Sequence, residues 1–208
     1  MPLKELKAYI TDDWFINNTK LFEIGAEIAQ ERLHNAQMEL NKIEYTQRYL
    51  QSNQRYSEAT GEYRREIPDR TIVTMEYCGK LTDIRKIEMT SAQLYKYAQE
   101  QKLSPVFPAG LLLQREQGNI QTRVFLEIMD KNTEDPYAMV LPAGTFRCRK
   151  IDMMPEMDLP ATIENAYGTY QQVVVANILL DKFQIGTKKS ELQLRAENQG
   201  DKNELYQP

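Results

Sequence analysis

The sequence predicts an α+β protein: a long dimerising coiled-coil helix, followed by a duplicated strand-helix-strand-strand domain on a mainly antiparallel sheet. Three observations carry that prediction. Small and apolar residues recur from Phe22 to Leu50 at alternating steps of four and three, which is heptad spacing. From Arg70 the period drops to two, the signature of strands with one buried face. The order strand, helix, strand, strand then occurs twice, about 70 residues apart, as an internal duplication would.

Composition sets the outer bounds. With 208 residues, 41% apolar and 27% charged, the chain can bury one sizeable core and carry a helical appendage. No apolar run reaches the length of a membrane span and the start MPLKELKAYI lacks a signal-peptide core, so no membrane partner is expected and a cytoplasmic location is. Two cysteines, Cys78 and Cys148, and one histidine, His34, cannot furnish a tetrahedral zinc site. No metal or cofactor is expected. A net charge of -4 argues against direct nucleic-acid binding by these residues, because phosphate neutralisation supplies most of that affinity.

In chain order, residues 1–16 read as a short linker region. Pro2 opens a helix to Ile10 whose Leu3, Leu6 and Ile10 share a side, and Trp14, Phe15 and Ile16 pack it on the long helix. Residues 17–60 are the dimerisation helix. Its seam is Phe22, Ala26, Ala29, Leu33, Ala36, Leu40, Ile43, Gln47 and Leu50, with glutamates, lysine and arginines on the outer positions. Three alanines and a glutamine bury little area, so the helix calls for a partner helix. The competing arrangement lays a single helix on the back domain through Leu21, Ile24, Ile28 and Met38. His34 falls on the polar side.

Residues 51–69 form a mixed-charge run with Gly61 and Pro68 as breakers, and the back domain is placed at 66–197. Thr71–Tyr77 is its first strand. Thr90-Ser-Ala-Gln93 has the form of a capping box opening a helix with Leu94, Tyr95, Tyr97 and Ala98. Ala109–Arg115 and Thr122–Asp130 make a hairpin around Gly118. In the second repeat, Gly144–Ile151 is a strand, Asp158 caps a helix with Pro160 in its first turn, and Val173–Leu180 and Ser190–Ala196 are strands. The helices should share one face of the sheet, leaving a crevice at the pseudo-twofold axis. Residues 198–208 are a polar tail.

The short helix, the long seam, the line Ile-Pro-Asp-Arg-Thr-Ile-Val-Thr-Met-Glu-Tyr from Ile67 and the line Val140-Leu-Pro-Ala-Gly-Thr-Phe146 resemble MerR-type transcription regulators of the multidrug-sensing (BmrR-like) branch. The back half resembles their GyrI-like effector-binding domain. The resemblance implies a homodimer, a small lipophilic or aromatic ligand, cations included, and transcription control by the intact protein. It also implies that promoter DNA is contacted only through an N-terminal winged helix-turn-helix, which these residues lack.

A pocket for planar lipophilic cations needs aromatic faces and a buried carboxylate. Carrying the family's pocket over implies ligand contacts from Ile72, Tyr77, Phe146, Cys148, Asn177, Leu179 and Leu192. Ile72 and Tyr77 have opposite strand parity, so they share a pocket only across a twist or bulge. Where the resembling sensors carry an acid, this chain has Ala176 or Asn177, and Asn177 cannot neutralise a cation. Glu127 is the substitute, because it interrupts the apolar alternation of Val124–Met129. It either faces inward with Phe125 and Met129 or lies on the solvent face of an edge strand. No catalytic residue is expected, since nucleophile elbow, phosphate loop and metal cluster are missing. The alternatives are a GyrI-like small-molecule hydrolase, which a buried Glu127 beside Tyr77 would favour, and a gyrase-inhibitor-like protein-binding scaffold with no pocket.

Overall fold

The computed structural model describes residues 18–131, 134–152, 157–178 and 189–196. The expected Pro2–Ile10 helix, Trp14–Ile16, Leu179 and the tail from 198 lie outside them. By its internal contacts the chain divides into two compact units, 1–44 and 45–208. One helix, α1 (Asn18–Gln54), runs through the boundary.

In the first unit the residues expected to form the seam lie on α1. Phe22 and Leu33 are 75% and 71% exposed and Ile43 is 55% exposed. His34 is exposed as well.

The second unit is an eight-stranded sheet: β1 (Glu62–Ile67), β2 (Arg70–Glu76), β3 (Pro105–Glu116), β4 (Asn119–Ile128), β5 (Ala138–Leu141), β6 (Gly144–Asp152), β7 (Gln172–Asn177) and β8 (Lys189–Arg195). The strands lie in the order β1-β6-β8-β7-β3-β4-β2-β5, with every neighbouring pair antiparallel. This order is symmetric about the β7–β3 pair: β6-β8-β7 mirrors β2-β4-β3. The outer strands are exchanged between the halves. β1 leads into β2 but pairs with β6, and β5 leads into β6 but pairs with β2.

Two helices, α2 (Ile84–Glu100) and α3 (Leu159–Tyr167), cover one face. Leu94 and Ala98 from α2 and Leu159 and Ile163 from α3 share a core with Val73, Leu113, Val124, Leu126, Val173 and Leu192. The opposite parity, Ile72, Leu112, Phe125, Leu141, Val174 and Ala176, forms a second apolar cluster on the other face. The centre of the sheet leaves no slack. A Cβ on Gly110 of β3 would lie 2.0 Å from the Val175 carbonyl oxygen of β7.

Three sequence expectations need correction. Residues 51–69 are not all connection, because Glu62–Ile67 is an edge strand whose ladder with β6 buries Arg65 and Ile67. Thr90–Gln93 does not open a helix. α2 begins at Ile84, where the Asp83 carboxylate accepts from the Lys86 amide at 3.0 Å. Thr90 and Ser91 sit inside it and donate back to the Lys86 and Ile87 carbonyls. The first hairpin strand does not start at Ala109: β3 begins at Pro105, with its register to β4 shifting between Val106 and Ala109. Asp158 does cap α3, accepting from the Ala161 amide at 3.1 Å.

Candidate functional site

The face of the sheet away from α2 and α3 holds the unit's buried charges. Register decides which they are. Ile72 lies opposite Glu127 in the β2–β4 ladder, so Arg70, Ile72 and Glu127 share a face. On the other half, Ala176 lies opposite Glu191 and Val174 opposite Gln193, which sets both polar residues on that same face. Tyr45, Tyr49 and Ser52, at helical spacing near the end of α1, meet it. Between these groups lies a cavity of about 220 Å³, walled also by Ile67, Pro68 and Pro108. A larger, open crevice of about 1390 Å³ adjoins it, with Arg70 and Gln193 lining both and Phe146, Tyr167 and Tyr170 on its walls.

Each half of the sheet buries one carboxylate here, and the two are served differently. Glu191 on β8, 3% exposed, accepts from Arg65 Nη1 at 3.2 Å, from Gln193 Nε2 at 2.7 Å and from the Tyr63 hydroxyl. Arg65 in turn donates to Asn53 and Ser52 at the end of α1, both at 2.9 Å. That carboxylate is saturated and acts as a structural tie. Glu127 on β4 is 1% exposed and receives the Tyr45 hydroxyl on Oε1. Its Oε2 is buried without a hydrogen-bond partner, as are Arg70 Nε and Nη2 and Gln193 Oε1.

The protonation equilibria follow from burial. Burial pushes the Glu127 carboxyl up to about 7, against the opposing pull of the Arg70 charge and the Tyr45 hydrogen bond. The Tyr45 phenol is raised, first by burial and then by the Glu127 charge. Tyr49, which donates to the Asn177 carbonyl at 3.0 Å, is pushed up to about 12, chiefly by burial. The Arg70 guanidinium is lowered by burial, with Glu127 acting the other way. The site therefore holds a carboxyl that exchanges its proton near neutrality, flanked by neutral phenols and a buried guanidinium. Among the described residues, no group of three or more His, Cys, Asp or Glu is placed to hold a metal ion. Nor is any helix among them long and apolar enough to cross a membrane.

The residues singled out from the sequence do not all converge on this cavity. Glu127 lines it, on an interior strand between β3 and β2. Ile72 lies opposite Glu127 in the apolar cluster of the same face. Phe146 walls the larger crevice, and Cys148 packs with Phe146, Ile67 and Tyr63. Tyr77 lies beyond the end of β2 in the helix-side core, donating to the Lys80 carbonyl at 2.7 Å. Its parity with Ile72 is opposite and no bulge in β2 brings the two together. Leu192 is in the helix-side core too, and Asn177 is exposed with its side chain accepting from Ser190 Oγ at 3.4 Å. Residues not singled out contribute most of the polar lining: Tyr45, Tyr49, Arg65, Arg70 and Gln193. The alternation Glu191-Leu192-Gln193-Leu194 contained a signal for the polar side of β8, but it reads as a solvent face until a cover for it is known.

No family profile and no curated protein matches the sequence. Among solved structures the chain resembles EcmrR in an EcmrR–DNA complex, at 14% identity over 93% of this chain and 76% of that one, TM-score 0.49. The C-terminal domain of EcmrR resembles it at 14% identity over 67% of this chain and 99% of that one, TM-score 0.48. The protein SAV2435 bound to tetraphenylphosphonium resembles it at 9% identity over 66% of this chain and 95% of that one, TM-score 0.39. At these levels the functional reading has to stand on the chain's own residues.

Proposed function

We propose that this chain is the ligand-sensing and dimerising part of a MerR-type transcription regulator, with the cavity between the end of α1 and the open face of the sheet as its effector site. One observation carries the reading. Glu127, buried and half-unsatisfied at the cavity wall, has its single hydrogen bond to Tyr45, on the same continuous helix that bears the exposed seam. A ligand that pairs with Glu127 competes with Tyr45 for that carboxylate. Occupancy then weakens one tie between sheet and helix, and the equilibrium of the helix shifts by the ligand's differential affinity for the two arrangements. The exposed Phe22, Leu33, Leu40 and Ile43 fit a homodimer through the helix, since an apolar stripe of this kind needs a partner in water.

Ligand binding is tested by a thermal-shift screen of lipophilic cations against matched neutral aromatics, because a ligand selective for the folded state raises the melting temperature. Stabilisation that is lost in Glu127→Gln but kept or increased in Tyr45→Phe, which frees the carboxylate for the ligand, supports the site. Stabilisation unchanged in both rejects it. Sedimentation equilibrium of the chain and of Leu33→Glu tests the dimer, which the charged seam residue should dissociate.

A hydrolase is the second reading, favoured by the proton-exchanging Glu127 beside a tyrosine, here Tyr45 rather than Tyr77. It requires turnover of a small reactive ring compound that disappears in Glu127→Gln.

A further inference from the structure

We infer that the effector site selects an amphoteric molecule, one presenting a cationic donor group to Glu127 and an anionic or acceptor group to Arg70, rather than a simple lipophilic cation. The inference rests on the reading of this cavity as a ligand site and narrows its ligand class.

Besides Arg65, whose Nε is also unpartnered but whose charge Glu191 answers, three side chains with unpartnered atoms converge there. Arg70 is 6% exposed, Glu127 1% and Gln193 2%, so none of them can take a hydrogen bond from bulk water without cost. Their unused atoms are of both kinds: Arg70 Nε and Nη2 can only donate, whereas Glu127 Oε2 and Gln193 Oε1 can only accept. Arg70 and Glu127 feel each other's charge, yet no ion pair joins them among the described residues. The register explains the gap. Glu127 is directly opposite Ile72, which makes Arg70 its diagonal neighbour, roughly 7–8 Å away for such positions.

Opposite charges set diagonally discriminate among guests by sign. A cation in the cavity gains from Glu127 and loses to Arg70 at a similar range, and an anion does the reverse. A guest with both charges, or with a donor and an acceptor end, gains from both and satisfies the unused atoms. Arg65, the other buried guanidinium of the face, is already neutralised by Glu191, so it does not alter this balance. Size points the same way. At about 220 Å³ the inner cavity is below the roughly 300–1,000 Å³ of drug-sized pockets. It suits a compact bipolar head, with Tyr45, Tyr49 and Pro108 as its flat walls. Any larger body would extend past Arg70 and Gln193 into the adjoining crevice.

The test is calorimetric titration of the whole chain with a matched set at pH 8: phenethylamine, 3-phenylpropionate, phenylalanine and 4-(aminomethyl)benzoate, with tetraphenylphosphonium alongside. At least one of the two zwitterions should bind about tenfold more tightly than both singly charged mates, the gain expected from one charge-assisted hydrogen bond. Arg70→Gln should erase its advantage over the amine, and Glu127→Gln its advantage over the acid. Should Arg70→Gln not fold, Arg70→Lys keeps the charge without Nε and should reduce the same preference. Tetraphenylphosphonium or phenethylamine binding more tightly than either zwitterion overturns the inference and leaves the sensor reading standing. Silence from every probe overturns both, leaving a cavity filled by water alone.

Discussion

Replacing Glu127 by Gln should stabilise the protein above about pH 4.5, with the gain growing to its full size at neutral to alkaline pH. In the folded chain burial raises this carboxyl to about 7 from an ordinary value of 4.5. Between those two values the native state holds a proton that the unfolded chain releases, so stability falls as pH rises through the window. The contribution is fully present below about 4.5 and gone above about 7. A difference of this size corresponds to a cost on the order of 3 kcal/mol for keeping Glu127 ionised in the fold. A glutamine side chain avoids that cost and can still accept the Tyr45 hydroxyl. For a domain of this length about 1 kcal/mol moves the melting temperature by roughly 2–4 °C, so Glu127→Gln should melt higher than the parent by up to roughly 6–12 °C at pH 8. Near pH 4.5 the two should melt together. Melts of both proteins from pH 4.5 to 8.5 read this directly, because every other carboxyl titrates in both and cancels in the difference. A constant offset across that range would refute the assignment of Glu127 as a carboxyl whose ionisation the fold opposes.

The other expectations concern what holds the site in place. Arg65→Met should cost about 3–5 kcal/mol in urea denaturation, since it strands Glu191 as a buried unpaired charge; adding Glu191→Gln should recover much of the loss. Gly110→Ala should cost at least roughly 4 kcal/mol or abolish folding, because its Cβ meets the Val175 carbonyl oxygen across the central strand pair; a melting temperature within a few degrees of the parent would show that β3 and β7 separate easily. Under native conditions a maleimide should label exposed Cys78 and spare Cys148, whose thiol is raised by burial first and by the Glu191 charge second. Mass spectrometry of the labelled peptides distinguishes the two.

Much of the fold could be read from the sequence because period and punctuation agreed there. The stretch with the seam forms a helix throughout, and the hairpin around Gly118 and the Asp158-capped helix lie where their turn and cap residues put them. What escaped reading did so for physical reasons. Strand β1, Glu-Tyr-Arg-Arg-Glu-Ile, has the composition of a solvated connection, and Arg65 is buried within it only because Glu191 answers its charge from a distant strand. Strand β5 has four residues, too few to display a period. The Thr90–Gln93 pattern satisfies a capping rule that is not sufficient by itself to start a helix, and Asp83 seven residues earlier takes the role.

The candidate site was legible at one residue, Glu127, since a lone acid in an otherwise apolar run marks a carboxylate forced inward. Arg70, Glu191 and Gln193 were not legible in the same way. Glu191 and Gln193 alternate with Leu192 and Leu194 as surface residues do, and Arg70 follows Pro68 and Asp69 as part of a polar connection would; neither pattern can tell a face covered by water from one covered by Tyr45, Tyr49 and Ser52 near the end of a helix. The resemblance drew attention to Tyr77 and Asn177, which parity and exposure place elsewhere.

The most direct test of Glu127 as the ligand's counter-ion is a titration of tetraphenylphosphonium and the aromatic zwitterions into the chain and into Glu127→Gln at pH 8, where Glu127 is ionised. Saturable binding to the parent is expected, with a loss of about tenfold or more in the variant for every ligand with a cationic end. Equal affinities in the two proteins, or no binding to either, would contradict the claim that Glu127 and its cavity form the sensing site.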